Sequence, residues 1–326
     1  MRKLRVAAWL GVLILLAAIG SAQAQTYPNR PITLVVPLGV GGSTDVIGRL
    51  IAEGMRPHLG QPIVVENTTG AGGTIGVGRV ARAAGDGYTI LIGQWGTNVA
   101  TGAIYPLSFD LEKDFAPIGL IATQPFLIVG KKGTPAKNLT EFIAYLKANA
   151  SRISQGNSGI GSPSHVSGLL FQQAIGASFT MVPYRGAGQS SADLVAGNID
   201  VLLDTPALSL TQFRAGNVIV YAVANNHRLA TAPDIPTTDE AGLPGFYFTW
   251  WHALWAPKGT PKQIIARLNA ALVQALDDPN IKARLADLSN EPFPPEQLTP
   301  QALAAFQHAE IEKWWPIIKA ADIKAQ

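Results

Sequence analysis

The chain has 326 residues, of which 47% are apolar and 14% are charged. This composition excludes a disordered protein and is sufficient for one large or two medium domains. There is no cysteine, which excludes a disulfide framework and a cysteine-linked lipid anchor. The formal net charge of +3 comes from 25 basic and 22 acidic residues.

The N-terminus has the pattern of an export signal. Arg2, Lys3 and Arg5 precede the apolar stretch VAAWLGVLILLAAIG, and a small-residue tripeptide, AQA, ends at Ala24. The apolar stretch is shorter than the ~20 residues of a membrane span, although a membrane anchor is the alternative interpretation. We expect residues 1–24 to be removed by cleavage after Ala24 and the protein to reach a periplasm. Removal of the signal takes away three basic residues and leaves a mature chain with 22 basic and 22 acidic residues. This balance does not favour nucleic-acid binding.

Apolar runs rich in β-branched residues alternate with amphipathic helical patterns along the rest of the chain. The predicted strands lie at 32–37, 62–67, 88–93, 126–130, 179–184, 199–204, 218–224 and 252–257. The predicted helices lie at 43–59, 139–150, 260–278 and from residue 299 onward. This alternation predicts an α/β fold with mostly parallel sheets.

Two polar segments rich in proline or glycine, 131–138 and 225–245, suggest a division into two lobes. They bracket about 100 residues that contain strands and helices of their own. We expect one lobe to comprise residues 25–125 and 225–326 and the other to comprise residues 126–224, with a ligand cleft between them.

The stretch PLGVGGSTD, residues 37–45, connects a predicted strand to a predicted helix. It lacks the lysine of a phosphate-binding loop, and Thr44 stands where a dinucleotide fingerprint needs its last glycine. A nucleotide is therefore disfavoured. The backbone N–H groups around Gly41 and Gly42 suit a smaller anion at the helix N-terminus. The alternative is a tight turn in which Asp45 acts near the start of the helix.

A second candidate loop, GNSGIGSPSHVSG, places hydroxyl groups and a histidine before a predicted helix. Ser158 and Ser164 with His165 could form a hydrolase site, but no nucleophile-elbow motif surrounds either serine. The same groups could hold a carboxylate at the helix N-terminus, or simply cap the helix. We favour ligand binding.

A third candidate region, 182–205, contains the ends of two predicted strands. Tyr184 and Gly186 follow the first strand, and Asp204 ends the second. Because ligands of open α/β sheets bind at the carboxyl ends of strands, these residues are candidates for the same cleft. The alternative for Asp204 is a cap of the following helix.

The chain resembles the periplasmic substrate-binding proteins of tripartite tricarboxylate transporters, the Bug-type receptors. The resemblance rests on YPNRPITLVVP, GGSTDVIGRLIAEGM, VVENTTGAGGTIG, VPYRGAGQSSADLVAGNIDVLLD, WAPKGTPKQIIARLN and EIEKWWPIIKAADI, which occur in order along the chain. It implies a two-lobed periplasmic binding protein fold that closes on a carboxylate. The candidate residues that it supports are Gly41, Gly42, Asp45, Ser158, His165, Tyr184, Gly186 and Asp204.

The sequence departs from the usual family pattern near the expected far end of the ligand. Asn98 stands where a histidine is common, Trp95 stands where a small hydroxyl residue is usual, and Trp250 stands where a serine is usual. Added indoles favour an aromatic or bulky apolar ligand body. Trp95 and Asn98 are therefore further candidate ligand-binding residues, and the alternative is that both indoles pack in the core or on the rim.

The sequence favours a receptor over an enzyme. We expect a monomer that binds a small carboxylate and delivers it to membrane transporter subunits, with no cofactor, no metal and no nucleic-acid partner. The five histidines are isolated in sequence, without metal-ligand spacing. The alternatives are a secreted serine hydrolase and a ligand sensor for a membrane kinase.

Overall fold

The computed structural model describes residues 27–184, 186–321 and 323. The predicted signal peptide, residues 1–24, lies outside this part of the chain. No helix within the described residues is both long and apolar enough to cross a membrane.

Strands and helices alternate along the described chain, as the sequence predicts. The strands are β1 (Ile32–Val36), β2 (Ile63–Asn67), β3 (Thr89–Gln94), β4 (Phe115–Pro125), β5 (Leu127–Lys131), β6 (Ser154–Asn157), β7 (Thr180–Pro183), β8 (Val201–Asp204), β9 (Val218–Val223), β10 (Thr249–Pro257) and β11 (Glu291–Pro292). The helices are α1 (Ser43–Leu59), α2 (Thr74–Ala81), α3 (Thr101–Ile104), α4 (Leu139–Ala148), α5 (Pro163–Ile175), α6 (Ala187–Ala196), α7 (Pro206–Arg214), α8 (Lys262–Asp277), α9 (Pro279–Asp287) and α10 (Pro300–Ala320).

The strands form two separate sheets, and both are mixed. The first has the order β11-β4-β10-β3-β1-β2, and the second has the order β7-β6-β8-β5-β9. Pairs β1–β2, β1–β3, β6–β7 and β6–β8 are parallel, whereas every pair that involves β4, β5, β10 or β11 is antiparallel. The α/β prediction is confirmed, but the expectation of mostly parallel sheets is too strong. Both β4 and β10 belong to the first sheet, and β10, which lies between β4 and β3, runs antiparallel to both.

Helix boundaries follow from local sequence. In α1, buried Ile47, Leu50 and Ile51 repeat at helical spacing, and Gly60 ends the helix in the left-handed conformation with φ of 71°. Side-chain oxygens of Asn138, Asp278 and Thr299 accept backbone hydrogen bonds at the starts of α4, α9 and α10. These caps agree with the starts expected for the predicted helices near residues 139 and 299.

The chain passes between the two sheets at a hydrogen-bonded lobe crossing formed by Phe126, Ala224 and Phe248. The N–H of Phe126 donates to the carbonyl of Phe248 at 3.0 Å, and the N–H of Phe248 donates to the carbonyl of Ala224 at 3.1 Å. The N–H of Ala224 donates to the carbonyl of Phe126 at 2.8 Å. Between the last two crossing residues, Leu229 and Ile235 are buried in the same apolar cluster as strand β8 of the second sheet. The segment between Ala224 and Phe248 therefore packs against the second sheet at these two residues.

Candidate ligand-binding cleft

Two neighbouring cavities lie between the sheets, on the side where the strands end in the glycine-rich loops. The larger cavity has a volume of about 580 Å³ and the smaller one about 290 Å³. Groups from both sheets line each cavity, so they form one cleft between the lobes. The larger cavity is lined by Gly41, Gly42, Ser43, Val46, Gln124, Phe126, Ser158, Ser164, Ala187, Gly188, Asp204, Thr205, Ala207, Leu208, Trp250, Leu288 and Asn290.

Four helices begin at the larger cavity. Helix α1 begins after Gly42 and helix α6 begins after Gly186, and neither glycine has a side chain that could cap the first turn. Helix α7 begins after Thr205, whose side chain makes no capping hydrogen bond, and α5 contributes Ser164 from its first turn. Because the first N–H groups of a helix lack intrahelical partners and carry partial positive charge, this convergence is suited to an anion.

The larger cavity has little side-chain charge of its own. Its described lining includes no lysine, arginine or histidine, and Asp204 is the one ionisable side chain among these residues. Burial raises the pKa of Asp204 to about 7, although the N–H of Thr205 donates to Oδ1 at 2.7 Å. Its Oδ2 has no hydrogen-bond partner among the described residues. At neutral pH Asp204 therefore repels an anion less than an ordinary aspartate would.

The serine loop forms a hydroxyl cluster at the wall of the cleft. The N–H of Ser158 donates to Oγ of Ser164 at 2.8 Å, and the two hydroxyl oxygens are also 2.8 Å apart. His165 does not act as a base for these serines, because its Nδ1 accepts the N–H of Gly161 at 3.1 Å. Burial lowers the pKa of His165, so the ring is neutral at pH 7. The described side chains thus show no serine–histidine pair of a hydrolase.

Asp45 supports the first loop rather than lining the cavity. Its carboxylate is buried and accepts hydrogen bonds from the Gly41 N–H at 2.9 Å, from Arg49 Nε at 3.1 Å and from Asn67 Nδ2 at 3.0 Å. Burial alone would raise the pKa of Asp45, but the hydrogen bonds from Arg49, Gly41 and Asn67 hold the pKa below its ordinary value. Asp45 therefore fixes the loop whose glycines face the cavity.

Tyr184 and Gly186 lie next to the cavity without lining it. The hydroxyl of Tyr184 donates to Oδ2 of Asp193 at 2.6 Å, and burial together with this carboxylate raises the tyrosine pKa to about 12. Gly186 is the residue before α6, and Ala187 and Gly188 that follow it line the cavity. Tyr184 therefore contacts the second half of α6, and Gly186 precedes its first turn.

Trp95 and Asn98, which the sequence predicts as ligand-binding residues, lie in the core and line neither cavity. Both side chains are fully buried. The indole of Trp95 packs edge-on against Phe248 and Trp314, each with ring centroids 5.4 Å away. Asn98 lies in a π-helical turn, Gly96–Ala100, and its Oδ1 accepts the hydroxyl of Thr97 at 2.8 Å. The indole that lines the cleft is that of Trp250.

Sequence reasoning missed several lining residues because their segments carry no glycine motif. Gln124 is the next-to-last residue of β4, a strand that the sequence does not predict, and Asn290 follows α9 in a short polar loop. Phe126 is the first residue of the strand predicted at 126–130. Its position at a strand terminus is the signal that could have identified it as a lining residue. The glycine and serine loops were found because helix N-termini require such residues.

Comparison with known proteins agrees with this architecture. BugT of Bordetella pertussis is 33% identical over 327 residues, which cover 99% of each chain. The periplasmic binding protein BugD has a solved structure that is 39% identical in sequence, with a TM-score of 0.78. The match covers 91% of this chain and 100% of the BugD chain. MatC from Rhodopseudomonas palustris, solved with bound malate, is 40% identical with a TM-score of 0.78 and covers 90% of this chain and 100% of its own.

Two α/β lobes around a cleft with converging helix N-termini define a solute receptor with the periplasmic binding protein fold. A family model described as the tripartite tricarboxylate transporter family receptor matches residues 47–323. The chain belongs to this family, and it is a binding protein rather than an enzyme.

Proposed function

We propose that the protein binds a small organic carboxylate in the larger cavity and delivers it to the membrane subunits of a tripartite tricarboxylate transporter. The observation that carries the proposal is the convergence of four helix N-termini on a cavity whose described lining has no cationic side chain. Backbone N–H groups then supply the positive potential that a carboxylate needs. The malate bound to MatC supports the same ligand class.

In the proposed site, backbone N–H groups of the first turn of α1, from Ser43 onward, bind the carboxylate from one lobe, where Gly41 and Gly42 line the cavity. Hydroxyls of Ser158 and Ser164 bind it from the other lobe, where Asp204 faces the same cavity. The indirect candidates keep these groups in place: Asp45 fixes the first loop, His165 fixes the serine loop, and Tyr184 holds α6 through Asp193. A ligand that contacts both lobes favours the closed state by differential affinity.

The proposal includes an export route and a domain division. Cleavage after Ala24 releases a monomeric receptor into the periplasm, where membrane subunits bind its closed form. One lobe carries β1–β4, β10 and β11, and the other carries β5–β9 together with the segment that precedes Phe248.

The test is a ligand screen with matched neutral analogues. We expect malate, succinate or an aromatic acid to raise the melting temperature of the protein that lacks residues 1–24, whereas the corresponding amides do not. Calorimetry on the strongest ligand then gives the dissociation constant. Equal shifts for acids and amides would contradict recognition of a carboxylate, and no shift with any acid would contradict the proposed ligand class.

A further inference from the structure

The indole of Trp250 lies between the two cavities. It lines the larger cavity and also the smaller one. Among the described residues, Ser158 alone shares this position. Because the serine side chain is small, the indole is the main barrier between the two volumes.

The surrounding structure holds this indole in one position. Trp250 lies in β10 opposite Gln124 of β4, and the hydroxyl of Thr123 donates to its carbonyl at 3.3 Å. The ring lies between two others at small angles. The centroid of Phe126 is 6.4 Å away at 29°, and that of His252 is 6.0 Å away at 28°.

His252 is a rigid, uncharged support for the indole. It is fully buried, and its Nε2 hydrogen-bonds Oγ1 of Thr44 at 3.2 Å. Burial lowers the pKa of His252 to about 3, so the ring stays neutral at physiological pH. A change of rotamer at Trp250 would disturb its contacts with both neighbouring rings, and closely packed interiors accommodate such changes poorly.

The two cavities offer different chemistry on the two sides of the indole. The larger cavity has the helix N-termini and the apolar side chains of Val46, Phe126 and Leu208. The smaller cavity has polar groups of its own, including Gln94 and Tyr105. A ligand with a carboxylate at the helix N-termini and a second polar end would reach these groups only by passing the position of the indole.

We infer that Trp250 is a specificity-determining residue that confines the ligand to the larger cavity and so selects compact carboxylates over extended ones of the same charge. This inference rests on the proposed function and adds the size class of the ligand. The indole acts by exclusion, because a longer chain would have to overlap the position that the ring occupies between the two cavities.

The experiment compares wild-type protein with Trp250→Ala by calorimetry. The probes are two homologous series, the dicarboxylates succinate, adipate and suberate and the monocarboxylates butyrate, hexanoate and octanoate. For the wild type we expect the longest member of the bound series to bind at least tenfold more weakly than the shortest. In Trp250→Ala the two cavities join, and this ratio should fall at least tenfold.

Leu208→Ala is the matched control, because Leu208 lines the larger cavity alone. It should alter affinity for both chain lengths without changing their ratio. Trp250→Phe, which retains a ring in the stack, should give an intermediate ratio and serves as the test if the alanine variant does not fold by circular dichroism.

Two results would overturn the inference: a wild type that binds long and short acids equally, or folded Trp250 variants whose length preference is unchanged. An equal change of ratio in Leu208→Ala would also contradict a specific role for the indole. If the folded wild type binds no acid of either series or of the wider screen, the proposed function itself fails, and the inference falls with it.

Discussion

At the scale of single residues, Asp204 links stability to pH. Its pKa in the folded protein is about 7, against an ordinary value of 3.8, because the carboxyl is buried. Between these values the folded state holds a proton that the unfolded state has lost, so stability falls as pH rises. The effect is complete once the pH exceeds the folded pKa.

We therefore expect the stability of the wild type relative to Asp204→Asn to decrease from pH 4.5 to pH 7 and to level off above it. The slope cannot exceed about 1.4 kcal/mol per pH unit for one group. Urea denaturation of both proteins at pH 4.5, 6 and 8 measures this difference. A wild-type-minus-variant difference that does not change with pH would show that Asp204 ionises normally.

Asp45 should matter for stability, because it organises the first loop from a buried position. Asp45→Ala leaves the Gly41 N–H and the Asn67 amide without their acceptor, and hydrogen bonds to a charged group contribute about 1.5–3 kcal/mol each. We expect a loss of about 2 kcal/mol or more in the free energy of unfolding, measured in urea.

The control is Glu53→Ala in the same helix. Glu53 also pairs with an arginine, Arg284 at 2.7 Å, but both side chains are more than half exposed. An exposed ion pair contributes little, so this variant should be close to the wild type. Similar losses in both variants would mean that the loop does not depend on Asp45.

At the scale of elements, two substitutions at Gly42, before the N-terminus of α1, distinguish an effect on helix stability from an effect on anion binding. Gly42 has φ of −73°, and an added Cβ would contact Gly39 at 3.4 Å and little else. Aspartate and asparagine both cap helices well, and either should leave stability within a few tenths of a kcal/mol of glycine or above it.

The two substitutions should differ in ligand binding. In Gly42→Asp the new carboxylate competes for the same N–H groups and repels an anion, so we expect at least a tenfold greater loss of carboxylate affinity than in Gly42→Asn. Calorimetry and thermal unfolding of the pair provide the measurement. Equal affinities would exclude the start of α1 from the anion site.

The elements that could be predicted from sequence are those whose buried side chains form an apolar run or recur at helical spacing. The eight apolar runs all overlap strands, and α1 and α10 begin near their predicted residues. β6 was missed because its sequence, SQGN, has no apolar run, and its pairing with β7 and β8 stabilises it instead. β4 was missed because Pro117, Gly119 and Pro125 interrupt its apolar pattern.

The site was predictable as loops but not as side-chain positions. Helix starts rich in glycine and serine point to the proposed anion site, since glycine adds no capping side chain that would occupy the N–H groups and serine adds a hydroxyl. Trp95 and Trp250 are both indoles beside a predicted strand end, and the sequence could not separate them. A π-helical turn follows Trp95 in the core, whereas Trp250 begins β10 at the cleft.

At the scale of the whole molecule, the lobe crossing limits how the lobes can move. Three chain segments cross side by side with hydrogen bonds of 2.8–3.1 Å among Phe126, Ala224 and Phe248. Such a ribbon resists sliding but bends, so we expect closure by rotation. A ligand that closes the cleft should reduce the radius of gyration in X-ray scattering.

The same ligand should stabilise the protein by about 2.7 kcal/mol at a concentration of 100 times its dissociation constant. Gly42→Asp is the control: with a tenfold greater dissociation constant, its stabilisation at that concentration should fall to about 1.4 kcal/mol, and its compaction should require a correspondingly higher ligand concentration. Stabilisation of the wild type without compaction would indicate that the ligand binds without lobe rotation.

The helix N-termini at the larger cavity have a consequence for how receptors of this kind diversify. A peptide N–H belongs to every residue except proline, so most substitutions in these loops keep the groups that hold the charge. Side chains around the cavity can then change freely, and with them the shape of the ligand that is accepted. Receptors with the same backbone can in this way bind different acids. The carboxylate is recognised in the same manner in each, and the side chains around the cavity determine which remaining part of the ligand fits.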